Sequence, residues 1–161
     1  MEYSKCWLDY RPLESVEEVW LTLIVSCDGL IIESAVKEYV LAMEGLAGRR
    51  PKVTADKTSA GVRLLVDEDT VSGADGYRIA GENGGYTICG QSPSGVLYGV
   101  FHFLRMAAGG ELSQLPVEIV PAMPLRMMNH WDNMDGSIER GYSGESFFYK
   151  DYEILWDERL E

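Results

Sequence analysis

The segment that most restricts the fold of this chain is a helix candidate that begins at Ser92 and ends at Gly109-Gly110. Serine is a preferred N-cap residue, the proline that follows it suits the first helical position, and glycine is common just past the last turn. Gly95 and Gly99 lie one turn apart on the same face of this helix. Each costs a helix about 1 kcal/mol against alanine. We therefore expect another backbone, that of a sheet, to pack closely against them.

A second helix and several short strands surround this segment. Apolar residues at helical spacing predict a helix over residues 31–47, with Gly48 at its C-terminal end. Runs rich in β-branched and aromatic residues, or bounded by turn residues, predict strands. These strands cover residues 19–25, 61–66, 76–80 and 86–90. A tight hairpin turn at Asn83-Gly84-Gly85 would join the last two.

The order of strand, helix, three strands and helix predicts an α+β domain. Its two layers would be a mixed or antiparallel sheet and helices on one face of that sheet. Three prolines, Pro116, Pro121 and Pro124, surround one short extended piece, which is typical of a linker. We place a domain boundary at about residue 122. The chain would then consist of one domain over residues 1–122 and the start of a second over residues 123–161.

Charge and cysteine usage exclude several classes of partner. The formal net charge of −12 argues against a nucleic-acid partner, because binding to phosphates needs clustered Lys and Arg. Cys6, Cys27 and Cys89 are widely spaced and odd in number, so we expect free thiols and neither a disulfide framework nor a metal site. The composition implies no cofactor. With no basic leader before an apolar run and no stretch of transmembrane length, we expect a cytoplasmic protein with no membrane partner.

Residues 129–142 combine amides, carboxylates, an imidazole, an indole and a guanidinium after a short predicted strand at residues 125–128. Asn129, Asp132 and Asn133 offer hydrogen-bond donors and acceptors, and Trp131 offers a flat apolar surface. Sugars need both kinds of contact. On spacing alone, a turn capped by Asx side chains with a core tryptophan is slightly favoured over this ligand site. A metal site is the weakest alternative, because one histidine and scattered carboxylates make a poor ligand set.

Other polar residues carry weaker hypotheses. Asp132, Asp135 and Glu139 could act as paired carboxylates, but a turn-rich segment gives little control over their separation. Arg140 could hold a ligand carboxylate, although an acidic partner within the chain is favoured. His102, in the second predicted helix, is better explained as a satisfied core or rim histidine than as a catalyst.

The motif over residues 126–144 resembles a signature of the family 67 glycoside hydrolases, the xylan α-glucuronidases. Residues 94–105 are similar to the helix that closes the N-terminal domain of that family, and residues 5–10 are similar to the family's start. The resemblance therefore covers the chain from end to end, and its long motif is highly specific.

The resemblance implies an N-terminal α+β domain like the one that precedes the barrel in β-hexosaminidases, followed by a (β/α)8 barrel. This chain would contain that domain and only the first barrel strand, at residues 127–131. The substrate-contact residues implied are Trp131, near the sugar, and Asn129, Asp132, Asn133 and Arg140 as pocket or pocket-supporting residues. The catalytic carboxylates would lie on later barrel strands, beyond Glu161, so we assign no catalytic residue here.

The resemblance also implies a reaction for the full-length enzyme. It would hydrolyse, with inversion, the α-1,2 link between glucuronic acid, or its 4-O-methyl ether, and xylo-oligosaccharides. The full enzyme could be a homodimer, and the fragment alone should be inactive. The alternative is a non-catalytic module that binds carbohydrate or braces the barrel.

Overall fold

The computed structural model describes residues 10–82, 84–127, 129–139 and 144–156. They belong to two compact units, of which the first is Tyr10–Pro124 and the second contains the described residues from Leu125 onward. Each unit is described by itself below. The assignment of residues 123–161 to the start of a barrel stays a prediction.

The first unit consists of a sheet and two long helices, with two short 3-10 helices at Glu18–Leu21 and Leu112–Gln114. The helices are α1 (Leu30–Ala47) and α2 (Pro93–Gly109). The strands are β1 (Thr22–Val25), β2 (Lys52–Thr54), β3 (Val62–Val66), β4 (Tyr77–Glu82), β5 (Gly85–Gly90) and β6 (Val117–Ile119).

The sheet is mixed, with the strand order β2-β1-β3-β5-β4-β6. Strands β2, β1, β3 and β5 are parallel to one another, whereas β4 runs antiparallel to both β5 and β6. Helices α1 and α2 pack against each other. The predicted α+β class, with a mixed sheet and two helices, is therefore confirmed.

One hydrophobic core joins both helices to the sheet. The largest of its fully buried side chains come from α1, α2 and strands β1, β3, β4 and β5, so burial of apolar area, worth roughly 25 cal/mol per Å², holds the layers together. These side chains are Tyr39, Phe103, Leu23, Ile32, Met43, Leu46, Leu64, Ile79, Ile88 and Leu104.

The two glycines of α2 lie against the sheet, as their spacing predicted. A Cβ atom built on Gly95 would lie 2.5 Å from the carbonyl oxygen of Gly76, and one built on Gly99 would lie 2.6 Å from Cγ2 of Ile88. Both distances are far below ordinary van der Waals contact. The helix therefore approaches β4 and β5 only because these two positions have no side chain.

The strand predicted over residues 19–25 is wrong in its first half. Val19 to Leu21 belong to the 3-10 helix, and β1 begins at Thr22. The turn brings the Trp20 side chain into the core, where it is 5% exposed. The buried hydroxyl of Tyr39 donates to the carbonyl oxygen of Trp20 at 2.8 Å. A long-range contact therefore overrides the local strand propensity of these residues.

The two edge strands of the sheet compare differently with the sequence prediction. β2 was not predicted at all, whereas β6 corresponds to the short extended piece predicted within the linker. β2 pairs with β1, and β6 pairs with β4. Both have only three residues, so their own composition gives a weak signal and the pairing with a longer strand decides their conformation.

Two further features bear on the expectations for membranes and for cysteines. Among the described residues, no helix combines the length and the apolar character needed to cross a membrane. Cys27 and Cys89 are free thiols, as predicted, and burial is the main cause that raises the pKa of each. Cys6 lies outside the described residues.

His102 is a rim histidine bonded to the sheet, as expected. Its Nδ1 lies 3.0 Å from the hydroxyl oxygen of Tyr77, and the two rings meet edge to face at 5.8 Å. Burial is the main cause that lowers the pKa of His102 below its usual value near 6.5, and the nearby Arg105 lowers it further, while Glu111 acts in the opposite direction. The unprotonated ring is therefore the form that the fold favours.

We expect His102 to make the first unit less stable in weak acid. The unfolded chain binds the proton with a pKa near 6.5, whereas the folded chain binds it only at lower pH. The free energy of unfolding should therefore fall as the pH drops through about 6.5 toward the folded-state pKa. The urea midpoint, compared between neutral and weakly acidic buffer, measures this effect, and His102→Gln should remove it.

Tyr77→Phe is the matched control for this prediction. It removes the hydrogen bond but keeps the burial of the histidine ring, so most of the pH dependence should remain. Carboxylates titrate over the same interval in every variant, and comparison among the variants cancels their contribution. Equal pH dependence in His102→Gln and in the unaltered protein would contradict the prediction.

Candidate functional site

The polar run that begins at Asn129 forms a small hairpin in the second unit. Asp132 and Ile138 form an antiparallel bridge, and the N–H of Glu139 donates to the carbonyl oxygen of Trp131 at 3.0 Å. The chain reverses at Gly136, whose φ of 94° is a conformation that glycine adopts without strain. Residues on the two arms of the hairpin are thus held close together.

Several polar groups at the tip of this hairpin are hydrogen-bonded to one another. Oδ1 of Asp135 accepts hydrogen bonds from the backbone N–H of Ser137 at 2.9 Å and from its hydroxyl at 2.6 Å. These two bonds, the hydroxyl first, lower the pKa of Asp135. Nδ2 of Asn133 donates to the same hydroxyl at 2.9 Å. The tip therefore matches the Asx-capped turn that was the alternative to a ligand site.

Asp132 makes a different contact, with a segment farther along the chain. Ser146, which is 7% exposed, donates from its hydroxyl to Oδ2 of Asp132 at 2.5 Å. The N–H of Ser146 donates to the carbonyl oxygen of Gly136 at 2.8 Å, and Ser137 forms an antiparallel bridge with Glu145. A segment 14 residues farther along the chain therefore contacts the Asp132 carboxylate.

A second hairpin is hydrogen-bonded to the first. Strands β7 (Tyr149–Lys150) and β8 (Glu153–Ile154) are antiparallel, and the turn residues between them both have positive φ, as a type I′ turn requires. The N–H of Tyr152, in that turn, donates to the carbonyl oxygen of Met134 at 2.8 Å. This bond joins the turn of the second hairpin to the tip of the first.

The aromatic residues of the run are accessible from outside. Trp131 is 44% exposed, so part of its indole face can meet a ligand. It is not the core tryptophan of the capped-turn alternative. His130 is exposed and contacts the ring of Phe148 edge to face, with 4.1 Å between ring centroids. Asn129 is exposed as well.

The strand predicted at the start of this segment is not formed. The structure assigns no strand to the described residues 125–127 and 129–131, where residues 125–128 were predicted as a strand and residues 127–131 as barrel strand one. A strand needs a neighbour for its backbone hydrogen bonds, and none of these described residues takes part in the strand pairing of either sheet. Arg140, another predicted pocket residue, lies outside the described residues.

The structure thus brings together Trp131, Asp132 and Asn133 on one hairpin, and engages Asp132 and Asn133 in hydrogen bonds. Among the described residues, no group of three or more His, Cys, Asp and Glu side chains could hold a metal ion. Sequence reasoning missed Ser146. A serine ahead of Phe147 carries no local signal of a carboxylate partner 14 residues away.

Comparison with known proteins identifies both parts of the chain. Residues 22–121 match the family described as glycosyl hydrolase family 20, domain 2, and residues 105–160 match the glycosyl hydrolase family 67 middle domain. The second match contains the whole polar run, and the first contains the complete six-stranded sheet up to β6.

Curated relatives point in the same direction. The chain is 32% identical over 171 residues to a probable alpha-glucuronidase A from Aspergillus terreus, which covers 94% of this chain and 20% of the relative. A protein of the same name from Aspergillus fumigatus is 47% identical over 83 residues, which covers 52% of this chain and 10% of the relative. The chain therefore spans at most about a fifth of the length of these relatives.

A solved structure of a GH138 enzyme targeting pectin rhamnogalacturonan II is 16% identical, with a TM-score of 0.48 over 65% of this chain and 16% of that one. This likeness is too weak to support an argument. Residues 22–121 belong to the glycosyl hydrolase family 20 domain 2 family, and the match of residues 105–160 together with the curated relatives supports a fragment of a family 67 glycoside hydrolase.

Proposed function

We propose that the full-length protein is an inverting α-glucuronidase. It hydrolyses the α-1,2 link between glucuronic acid, or its 4-O-methyl ether, and xylo-oligosaccharides. The observation that carries this proposal is the family 67 middle-domain match over residues 105–160, which contains the polar run and its exposed tryptophan. Relatives named probable alpha-glucuronidase A support it along 94% of the chain.

In this proposal, residues 123–161 are the opening of a (β/α)8 barrel, and residues 127–131 become its first strand once neighbouring strands supply hydrogen bonds. Active sites of such barrels lie at the carboxyl ends of the strands. Trp131 and Asn129 would then stand at the rim of the pocket, with Asp132, Asn133 and Arg140 beside them. The acid and base belong to later strands, so the 161-residue chain is inactive.

The proposed contacts suit the uncharged, hydroxyl-bearing part of a sugar substrate. The exposed part of the Trp131 ring offers an apolar face on which the C–H groups of a sugar ring can pack. The amide of Asn129 and the carboxylate of Asp132 can accept hydrogen bonds from sugar hydroxyls. Cationic groups that bind the uronic carboxylate would come from Arg140 or from the rest of the barrel.

The test is the release of glucuronic acid from aldouronic acids by the full-length gene product. Trp131→Ala should lower kcat/KM about 30-fold, because loss of a central aromatic contact costs about 2 kcal/mol. Tyr98→Ala is the matched control, since it removes a half-exposed aromatic side chain from α2, in the first unit. It should leave kcat/KM within about twofold, which is the effect of a few tenths of a kcal/mol.

Two outcomes would count against the proposal. If the unaltered full-length protein released no glucuronic acid, the assignment of the reaction would fail. If Trp131→Ala behaved like Tyr98→Ala in an active enzyme, the reaction would stand and the role of Trp131 would be wrong.

A further inference from the structure

We propose that Ser146 is a positioning residue that orients the carboxylate of Asp132 toward the sugar in the full-length enzyme. This inference rests on the function proposed above, because it takes Asp132 as a substrate contact. It adds a residue that the sequence did not single out.

The first argument is the hydrogen-bond inventory of Ser146. Its hydroxyl accepts the backbone N–H groups of Phe148 and Tyr149 at 3.0 Å each, and donates to Oδ2 of Asp132 at 2.5 Å. A hydroxyl has one proton and two acceptor sites. Both acceptor sites are occupied by N–H donors, so the proton must face Asp132. The hydroxyl therefore has a single orientation, set by the backbone.

The second argument is that the backbone around both partners is held. Ser146 is attached to the hairpin through its own N–H, which donates to Gly136, and through the bridge between Glu145 and Ser137. Asp132 is held by its bridge to Ile138. The donor and the acceptor thus lie on two segments that are connected by backbone hydrogen bonds, and the burial of Ser146 excludes water from competing for the hydroxyl.

The consequence concerns the second oxygen of the carboxylate. A bond to Oδ2 fixes the side-chain torsions of Asp132, so Oδ1 is left as the oxygen that Ser146 does not engage. An ionised carboxylate only accepts hydrogen bonds. The ligand group that suits this oxygen is therefore a donor, such as a sugar hydroxyl, and its direction is set before the substrate arrives.

Side-chain couplings measured by NMR on the 161-residue chain test the orientation directly. We expect Asp132 to occupy one χ1 rotamer in the unaltered chain and to average among rotamers in Ser146→Ala. Ser137→Ala is the matched control, because it removes a hydroxyl from the same hairpin that bonds to Asp135 and Asn133 instead. Asp132 should keep one rotamer in that variant. Averaging of Asp132 in the unaltered chain would overturn the proposal.

A double-mutant cycle in the full-length enzyme tests the consequence for the reaction. Ser146→Ala should lower kcat/KM on aldouronic acids about tenfold, the typical effect of losing a hydrogen bond to a charged group. The same change made in Asp132→Ala should lower it no further, because Ser146 acts through the carboxylate. A loss of about tenfold in both backgrounds would show an effect on folding instead and would overturn the proposal.

The two experiments also separate this inference from the function on which it rests. Absence of glucuronic acid release by the unaltered full-length enzyme would contradict the function. In that case the rotamers of Asp132 still decide whether Ser146 orients it.

Discussion

Replacement of Phe103 by alanine is expected to lower the free energy of unfolding of the first unit by about 4 kcal/mol, the usual cost of emptying a buried aromatic site. Phe103 is fully buried in α2. Its ring lies 5.3 Å from that of Tyr86 and 6.3 Å from those of Trp20 and Tyr39, measured between centroids. These partners come from β5, from the 3-10 helix and from α1. The alanine variant therefore loses contacts to three elements at once.

Urea unfolding followed by circular dichroism measures this loss. Tyr98→Ala is the control, since it removes an aromatic ring from the same helix at a position that is 40% exposed. Its cost should be clearly smaller than that of Phe103→Ala, because the partly exposed ring of Tyr98 loses less buried area than the fully buried ring of Phe103. If the two variants were equally stable, Phe103 would not be the centre of the core. A domain is stable by only about 5–15 kcal/mol, so partial unfolding of Phe103→Ala at about 37 °C is expected.

Replacement of Gly95 by alanine is the second large effect. The new Cβ would lie 2.5 Å from the carbonyl oxygen of Gly76 and 3.3 Å from the Cα of Gly90. Both are backbone atoms, which cannot rotate away as the end of a long side chain can. Overpacking of this kind costs about 3 kcal/mol, and the better helix propensity of alanine returns about 1 kcal/mol. We expect a net loss of about 2 kcal/mol.

Gly109→Ala is the control for this second prediction, because it places the same methyl group near the other end of α2. The atoms nearest to its Cβ would be those of the Glu111 side chain, at the ordinary distance of 3.5 Å. Without a clash, the change should stabilise the protein by about 0.5 kcal/mol through the unfolded chain. The thermal unfolding midpoint should therefore fall for Gly95→Ala and rise for Gly109→Ala. If Gly95→Ala were as stable as Gly109→Ala, the sheet would be able to move away from α2 to make room for the methyl group, and the prediction would be wrong.

The helices were predictable because their signals are local. The predicted helix over residues 31–47 corresponds to α1, and Gly48 adopts the left-handed conformation expected at a helix end. The Ser92 side chain accepts the N–H of Gly95 at 3.2 Å, as an N-cap residue does. Caps and apolar spacing act within a few residues, so they can be recognised without knowledge of the fold.

The sheet could be predicted only in part, because strand pairing depends on residues far apart in the chain. The order of the strands, the parallel direction of β1, β3 and β5, and the two short edge strands all depend on partners from elsewhere. For the same reason residues 125–127 have β propensity but no strand, and residues 19–21 form a turn around Trp20. Propensity alone does not supply a hydrogen-bonding neighbour.

The candidate site was likewise predictable from the sequence only in part. The residue types at Asn129, Trp131 and Asp132 can be seen in the sequence and suggest a polar ligand that stacks on an aromatic face. Their spacing could not tell a capped turn from a binding site. The structure contains both features, since Asn133 is bonded in the turn while Trp131 is exposed. The identity of Trp131, Asn129, Asp132, Asn133 and Arg140 as substrate contacts stays a prediction.

The sequence by itself determined the two helices, the α+β class, the close approach at Gly95 and Gly99, and the family resemblance, because each depends on residues that are near in the chain or on a long specific motif. Only the tertiary structure decided the strand order, the place of Trp20, and the bond from Ser146 to Asp132. These depend on contacts between residues that are distant in the chain. Such contacts contribute to stability only when the folded backbone brings the partners together, so the local sequence carries no signal of them.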